Sequence, residues 1–437
     1  MLGLFMLIPV FTIYAIHLHA ATPTLIGVAL GCYGLSQGLL QIPFGMLSDR
    51  FGRKPILTLG LVLFASGSLW GALTHSIYGM ILARTLQGTG AVGSVLIALL
   101  ADLTPDEQRT RAMAVIGVTI GLSFSLAMVL SPTITHHFGL AGIFYLTTIL
   151  AMLGLGLLHL VIPTPIKAPF HLDSEANPVL FKDVLTNRHL QRLNASIFSQ
   201  HLILTSTFFA VPMLLQEQVK AGNLLQQWHF YLPLILIAFI TMVPVIILAE
   251  KKHWVKTIFL LSVATTGTSQ LILAFSYHHW LSICTLMFTY FVAFNILEAT
   301  VPSLISKQAS ANSKGTAMGV YSSSQFLGIF AGGVLAGMLY QYAGIRGIFI
   351  SNAIISLLWL LIATYIKPNA YQVTLIISVP NLQQPDALVE KLLNLAGVNE
   401  VISAPEEQVI YLRIDQSSYQ NGSAHQLLDA HLVNQGN

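Results

Sequence analysis

The sequence predicts an all-α polytopic membrane protein with twelve transmembrane helices in two pseudo-symmetric six-helix halves, followed by a small C-terminal α+β domain. Three observations carry this. Of 437 residues, 54% are hydrophobic and 8% charged, with a mean hydropathy of +0.73; a soluble domain has about 45–50% apolar and about 25% charged residues. The apolar residues fall in runs of about 18 to 26 positions, enough to cross roughly 30 Å of hydrocarbon as helices. After Lys367 the runs stop and a period-two alternation takes over.

Helices are required in the runs because an unpaired backbone amide in lipid costs several kcal/mol, and a barrel would show short alternating segments instead. The spans lie near 1–18, 24–47, 55–73, 77–101, 112–134, 140–162, 190–215, 227–249, 256–276, 281–305, 315–341 and 344–366. The first has no polar lead-in, which points to a truncated start, and no basic n-region marks it as a signal peptide. A net charge of +3 and a pI near 8.7 come from loop lysines and arginines and imply no nucleic-acid partner. Cys32 and Cys284 lie inside apolar runs without a CxxC, so neither a metal site nor a disulfide framework is indicated.

Basic residues set the orientation. One set of alternate loops carries Arg50, Arg53, Lys54, Arg109, Arg111, Lys167, Lys182, Arg188, Arg192, Lys251, Lys252, Lys256, Lys307, Lys314 and Lys367; the other carries only Lys220 and Arg346. Fifteen against two puts both termini in the cytoplasm. The polar stretch PTPIKAPFHLDSEANP falls in a linker, 163–189, between halves 1–162 and 190–367. The halves resemble each other: 98–115 aligns on 303–320 at an offset of 205, and 42–50 on 243–251 at 201. Parallel repeats about an axis along the membrane normal are an arrangement of secondary transporters, which handle substrate between the repeats near the midplane.

Charge concentrates in GMLSDRFGRKP, 45–55. With Gly45, Leu47, Asp49, Arg50, Gly52, Arg53 and Lys54 it fits the signature G-x-L-x-D-R-x-G-R-[KR]. A second pattern, R-x-x-Q-G-x-G, stands at Arg84, Gln87, Gly88 and Gly90 of helix 4. On these residues 1 to about 367 resemble the major facilitator superfamily, of drug:proton antiporter type. The antiporter pattern of helix 5 is degraded to GLSFSLAMVLSP, with Ser131 in place of glycine before Pro132. The resemblance implies a bacterial inner-membrane transporter working by alternating access without a cofactor.

Asp49 ends helix 2, where a carboxylate is placed to meet the N-terminus of a neighbouring helix. The resemblance makes that neighbour helix 11, beginning near Ser313, and pairs Arg53 with Asp102. Gly45, Asp49, Arg50, Gly52, Arg53, Lys54 and Asp102 would then latch the two halves on the cytoplasmic side. The alternative is that the basic residues only enforce topology, but it leaves Asp49 and the two glycines unexplained; those ask for a close backbone approach or a tight turn.

Arg84 lies inside helix 4, where insertion of an arginine costs roughly 2.5–3.5 kcal/mol at a helix centre. Two readings stand: an interior residue, to which the resemblance gives a part in proton relay, or one that snorkels to the outer interface. Glu298 is the acid clearly inside a span, with Asn295 one turn earlier on the same face. A carboxyl in low dielectric can bind and release a proton as its hydration changes; it can also be a neutral acid locked to Asn295 or to another helix. Gln325, Tyr290 and Phe294, with Asn295, are candidates for a substrate cavity, against a default of helix packing. His17, His19, His201 and His229 could titrate, but a lone histidine is usually interfacial or hydrogen-bonded. Glu217 reads as an outer-loop residue.

In the tail, 370–437, strands are expected at 371–379, over VISAP and at 407–415, with helices at 385–398, on Leu388, Leu392 and Leu395, and at 423–433. The β-α-β-β-α order predicts a ferredoxin-like domain. It resembles the heavy-metal-associated fold but has no CxxC, so metal binding is not indicated. Seven acids face only Lys391 and Arg413 there; regulation by a ligand, self-association and a purely structural role are all open to it.

Together these point to proton-coupled efflux of a small amphipathic or drug-like solute through a lipid-embedded bundle. A facilitator or importer of the same fold, and a membrane sensor regulated through the tail, are the alternatives. The sequence holds no GxxxxGK[ST] loop for nucleotide-driven pumping and no HExxH or paired carboxylates for an intramembrane enzyme.

Overall fold

A computed structural model describes residues 2–104, 106–164, 178–252, 254–309, 313–366, 372–379, 385–404, 409–415, 419–420, 422–424 and 426–428. The chain divides into two compact units, Met1–Ile366 and Lys367–Asn437.

The first unit is helical: α1 (Leu2–Phe5), α2 (Phe11–Ala15), α3 (Pro23–Phe51), α4 (Arg53–Leu73), α5 (Ile77–Thr89), α6 (Gly93–Asp102), α7 (Asp106–Leu160), α8 (Pro178–Thr186), α9 (Arg188–Lys220), α10 (Trp228–Lys251), α11 (Val255–Ser276), α12 (Trp280–Gln308) and α13 (Lys314–Thr364). Among the described residues nine helices are long and apolar enough to cross a membrane, with Ile77–Asp102 counted as one. Two of them are each a pair of arms. α7 turns at Gly139 (φ 63°, ψ −168°) and α13 at Gly344 (φ 65°, ψ −165°), a conformation open essentially to glycine alone. These two turns stand 205 residues apart, the offset that aligns 98–115 with 303–320.

The expected first span is two short helices joined by turns, α1 and α2, and the linker region holds α8, whose Val184 is buried. Residues 165–177 of that linker lie outside the described residues. The expected span at 77–101 is broken between Thr89 and Gly93.

Local chemistry explains the ends. α3 starts at the Thr22 cap, whose Oγ1 accepts the Leu25 N–H at 3.3 Å, with Pro23 in the first turn. It stops at Gly52, whose φ of 96° reverses the chain directly into α4. Gly45, in contrast, has ordinary room, since a Cβ there would find Ser94 Oγ at 3.6 Å. The expectation that both glycines serve a turn or a close approach therefore holds for Gly52 alone.

The closest packing is between α3 and the first arm of α13. A Cβ on Gly27 would stand 2.8 Å from Gly337 Cα, and one on Gly31 2.7 Å from Phe330 O. Gly38 faces Ser323 O at 3.1 Å, and Gly319 faces Ile42 at 3.6 Å. The opposite face of that arm lies on α9, where a Cβ on Gly332 would come within 2.9 Å of Leu202 Cα. Small residues thus wedge one helix between two others. Beyond Gly27, Thr24 Oγ1 donates to Gln341 Oε1 at 2.6 Å.

The second unit contains β1 (Gln372–Ser378), α14 (Pro385–Leu393), β2 (Val398–Ala404) and β3 (Val409–Asp415). The sheet order is β1-β3-β2, antiparallel throughout, with Leu375 opposite Leu412 and Ile377 opposite Ile410. Leu388 and Leu392 of α14 pack on Ile410, Leu412 and Ile414. Of the helix expected at 423–433, residues 423–424 and 426–428 are helical and 429–433 lie outside the described residues.

The turn at Gly344 supplies a test. Nothing lies within 4 Å of a Cβ there or at Gly121, a glycine with ordinary helical φ. Gly344→Ala should cost about 1–3 kcal/mol through backbone strain alone, whereas Gly121→Ala should be neutral or gain up to about 1 kcal/mol. Apparent melting temperatures in detergent separate the two; equal losses would contradict the assigned turn.

Candidate functional site

Among the described residues, three clusters built around a charged side chain interrupt the apolar interior of the first unit. The first gathers where α3 and α6 end and α4 begins. Arg53 is 7% exposed. Its Nε donates to Asp102 Oδ2 at 2.8 Å and its Nη1 to Ser48 Oγ at 2.8 Å and to Asp49 Oδ1. The guanidinium fork therefore ties three helices, since Arg is planar and can serve two carboxylates at once. Lys54 Nζ donates to Ile162 O at 2.6 Å, and Arg50 lies exposed beside the Phe51 ring. Asp49 is thus bonded to Arg53. The α3–α13 contact runs from Gly27 against Gly337 to Ile42 against Gly319; the expected meeting of Asp49 with the start of helix 11 falls beside 310–312, which lie outside the described residues.

The second cluster surrounds Arg84, which is 3% exposed and does not snorkel to the surface. Its guanidinium lies 4.8 Å from the centroid of the Tyr33 ring and Nη1 donates to Gln87 Oε1, while Nε has no partner. Gln87 Nε2 in turn donates to Ser68 Oγ at 2.9 Å. Gly88 lets α5 meet α3, for a Cβ would stand 3.0 Å from Tyr33 Cα, and Gly90 does the same against Phe64 of α4. The R-x-x-Q-G-x-G pattern is therefore one buried cation, the amide that holds it and two backbone approaches.

The third cluster joins α9, α12 and α13. Gln200 Nε2 donates to Glu298 Oε2 at 3.0 Å and to Phe294 O at 3.2 Å. His201 Nε2 stands 3.8 Å from Glu298 Oε2 and 2.8 Å from Gln325 Nε2, and its Nδ1 is 3.3 Å from Ile197 O. The Glu298 side chain is 38% exposed although it sits well inside its helix. The expected partner Asn295 makes no hydrogen bond among the described residues; Gln200 and His201 on α9 hold the acid instead, because they come from across the bundle and not from its own turn. Tyr290, expected as a cavity candidate, is 1% exposed and packs among Phe291 and Phe294. Phe294 also turns its edge to His201 at 6.0 Å. Gln325 reaches the cluster directly.

Two groups escaped the sequence reading, Gln200 and the network around Asn352. Gln200 adjoins His201, already a titratable candidate, in an apolar run, SIFSQHLILTSTFF, and that adjacency was the available signal. Asn352, wholly buried, accepts from Ser206 Oγ at 2.6 Å and donates to Gln270 Oε1 at 3.0 Å, while Gln270 Nε2 donates to Thr207 Oγ1 at 3.1 Å. This network binds α9, α11 and the second arm of α13. His17, His19, Glu217 and His229 are exposed. Among the described residues no group of three His, Cys, Asp or Glu could hold a metal ion.

A family model described as Major Facilitator Superfamily matches residues 1–333 and, in a second alignment, 193–378. The chain is 43% identical over 416 residues to "Inner membrane transport protein YajR" of Escherichia coli K12, covering 95% of this chain and 91% of the relative. It is 35% identical over 335 residues to an uncharacterised transporter of Buchnera aphidicola, covering 76% and 85%. Among solved structures, a bacterial homologue of the human lysosomal transporter Spinster, inward-facing and occupied, superposes with a TM-score of 0.65 at 12% identity, over 83% of this chain and 94% of that one.

The first cluster yields a stability order. Asp102 is 9% exposed and Asp49 28%, so Asp102→Ala, which removes the more deeply buried carboxylate from a guanidinium still held by Asp49 and Ser48, should cost more than Asp49→Ala. Thermal melts of the two variants check it; a larger loss at Asp49 would contradict the assigned pairing.

Proposed function

The chain belongs to the major facilitator superfamily and is a multi-pass membrane transporter rather than an enzyme; from that premise we propose that it exports a small amphipathic or drug-like solute against proton entry, by alternating access. The observation that carries this is Glu298, a carboxyl inside a membrane helix, partly exposed and held by Gln200 beside His201. Intramembrane acids are expensive and mark proton or substrate paths. A proton taken by Glu298 would neutralise the carboxylate and release His201 and Gln325 from its field, and solute would bind at the vacated charge. Arg84 is the buried cation of the other repeat and completes the proton path. The spans are mostly apolar, which favours a lipophilic solute.

The remaining parts follow from the same reading. The bundle is a twelve-helix array of halves 1–162 and 190–367 in a bacterial inner membrane, with both termini cytoplasmic by the distribution of lysine and arginine. Asp49, Arg50, Arg53, Lys54 and Asp102, with Gly45 and Gly52, form a latch that closes on the start of α13 and opens when the cytoplasmic side opens. The second unit is a ferredoxin-like domain without its last strand among the described residues, and it regulates flux through a ligand or a second copy.

Proteoliposome transport after a pH jump, with a panel of amphipathic compounds, tests the assignment. Glu298→Gln should abolish proton-driven uptake while leaving solute exchange, and Arg84→Ala should lower it at least tenfold. Unchanged proton coupling in both variants would overturn the site. Deleting 370–437 should leave flux in place and alter its control; absence of flux in both forms under a proton gradient would overturn the transporter itself.

A further inference from the structure

The segment between the two repeats holds a helix to which the proposed transport cycle gives no part. α8 is joined to α9 by the single residue Asn187. The Asn187 Oδ1 accepts the His189 N–H at 2.9 Å and the Leu190 N–H at 3.3 Å, while its own N–H donates to Asp183 O at 3.1 Å. Gln191 Nε2 reaches back to Leu185 O. Hydrogen bonds on both sides of the joint therefore fix the direction of α8. Its Val184 is 1% exposed, and the helix packs on α9 and α13. The joint stands where α9 begins at Arg188 and close to where α13 ends at Thr364. Spans end where their apolar runs end, so this corner lies at the level of a membrane surface.

Helix geometry sorts the other side chains of α8. At about 100° per residue, Leu185 follows the buried Val184 by about 100°, Lys182 lies about 60° beyond Leu185 on the same flank, and Asp183 stands about 160° from Leu185 on the far side. Leu185 is 41% exposed, and Lys182 is exposed beside it. An exposed leucine next to a lysine, with the acid turned away, is the cross-section of a helix lying in a membrane interface. Arg188, in the first turn of α9, is exposed as well, and among the described residues neither it nor Lys182 has a carboxylate partner. Arg192, four residues on, shares its face of α9. The Arg192 Nη1 donates to Tyr365 O at 2.7 Å, and its guanidinium lies 5.7 Å from the centroid of the Tyr365 ring. That bond occupies one of five guanidinium donors. Tyr365 is 68% exposed at the end of its span, the place of an interfacial tyrosine.

We propose that this corner of α8, α9 and α13 is a docking site for an anionic phospholipid of the leaflet it meets, with Lys182, Arg188 and Arg192 toward the phosphate and Leu185 and Tyr365 toward the glycerol and the upper acyl carbons. Basic pockets between the ends of spans suit such headgroups. Exposed apolar side chains on the same flank as the cations favour a lipid over a soluble phosphate, which would leave Leu185 and Tyr365 in water. A lipid held here ties the first span of the second half to its last, whatever solute is carried.

Native mass spectrometry of the full-length protein, released from a neutral detergent, tests the site by titration with phosphatidylglycerol, phosphatidylcholine and glycerol 1-phosphate. Phosphatidylglycerol should bind at least tenfold more tightly than phosphatidylcholine, and at least tenfold more tightly than glycerol 1-phosphate, which has the charge without the chains. The double variant Lys182→Gln/Arg188→Gln should raise the Kd for phosphatidylglycerol at least tenfold. Lys251→Gln/Lys252→Gln, which removes the same charge from exposed positions at the end of α10, should leave it within about twofold. Lys182→Arg/Arg188→Lys should keep the wild-type Kd, which separates lost charge from a disrupted joint. Equal affinity for the two lipids, equal losses in the two glutamine variants, or a loss in the charge-keeping variant would overturn the proposal. Glycerol 1-phosphate bound as tightly as the lipid would make this a soluble-anion site and overturn it too.

Discussion

The bundle depends on a backbone contact, that of α3 with the first arm of α13. In hydrocarbon there is little hydrophobic force between helices, so association comes from close van der Waals packing, which small residues allow. Gly27 and Gly31 bring α3 so near Gly337 and Phe330 that a side chain would collide with backbone, and Gly38 sits tightly against Ser323. The other face of the same arm rests on α9 through Gly332. Every polar cluster sits on a helix held by this contact: Asp49 and Tyr33 on α3, Gln325 on α13, Gln200 and His201 on α9.

The interior charges are then distributed unevenly about that contact. On one side stands Arg84; on the other stands Glu298. Each is paired with amides rather than with an opposite charge, by Gln87 and by Gln200 respectively. An amide holds a charged group in place without neutralising it, so a proton or a solute can still change the balance. The Arg53 cluster is built differently: two carboxylates and a hydroxyl satisfy one guanidinium, which suits a fixed joint at the end of the bundle.

The sequence exposed much of this and hid some of it for physical reasons. Span positions were legible because hydrocarbon demands uninterrupted apolar helices, and the 205-residue offset recurs in the backbone at Gly139 and Gly344. The break before Gly93 was not legible, since TGAVGSVLIALL is as apolar as an intact helix and only the missing hydrogen bonds mark it. α1 and α2 were read as one span for the same reason. Arg84 and Glu298 stood out because charge in an apolar run is costly. Their pairing did not: Gln200 and His201 meet Glu298 from α9, Gln325 meets His201 from α13, and Asn352 meets Gln270 across 82 positions. Neutral amides carry no cost signal in a single sequence, so their pairing is a tertiary fact.

The central claim is that the proposed halves rock about the α3–α13 contact, opening one end as the other closes. Pulsed electron–electron resonance on a background with Cys32 and Cys284 replaced by serine measures this directly, with spin labels at Phe51 and Lys252 for one end and at Tyr78 and Leu281 for the other, all exposed positions. The account predicts two distance populations for each pair, shifting in opposite directions as pH is lowered. A single unchanging distance for both pairs at every pH would contradict it.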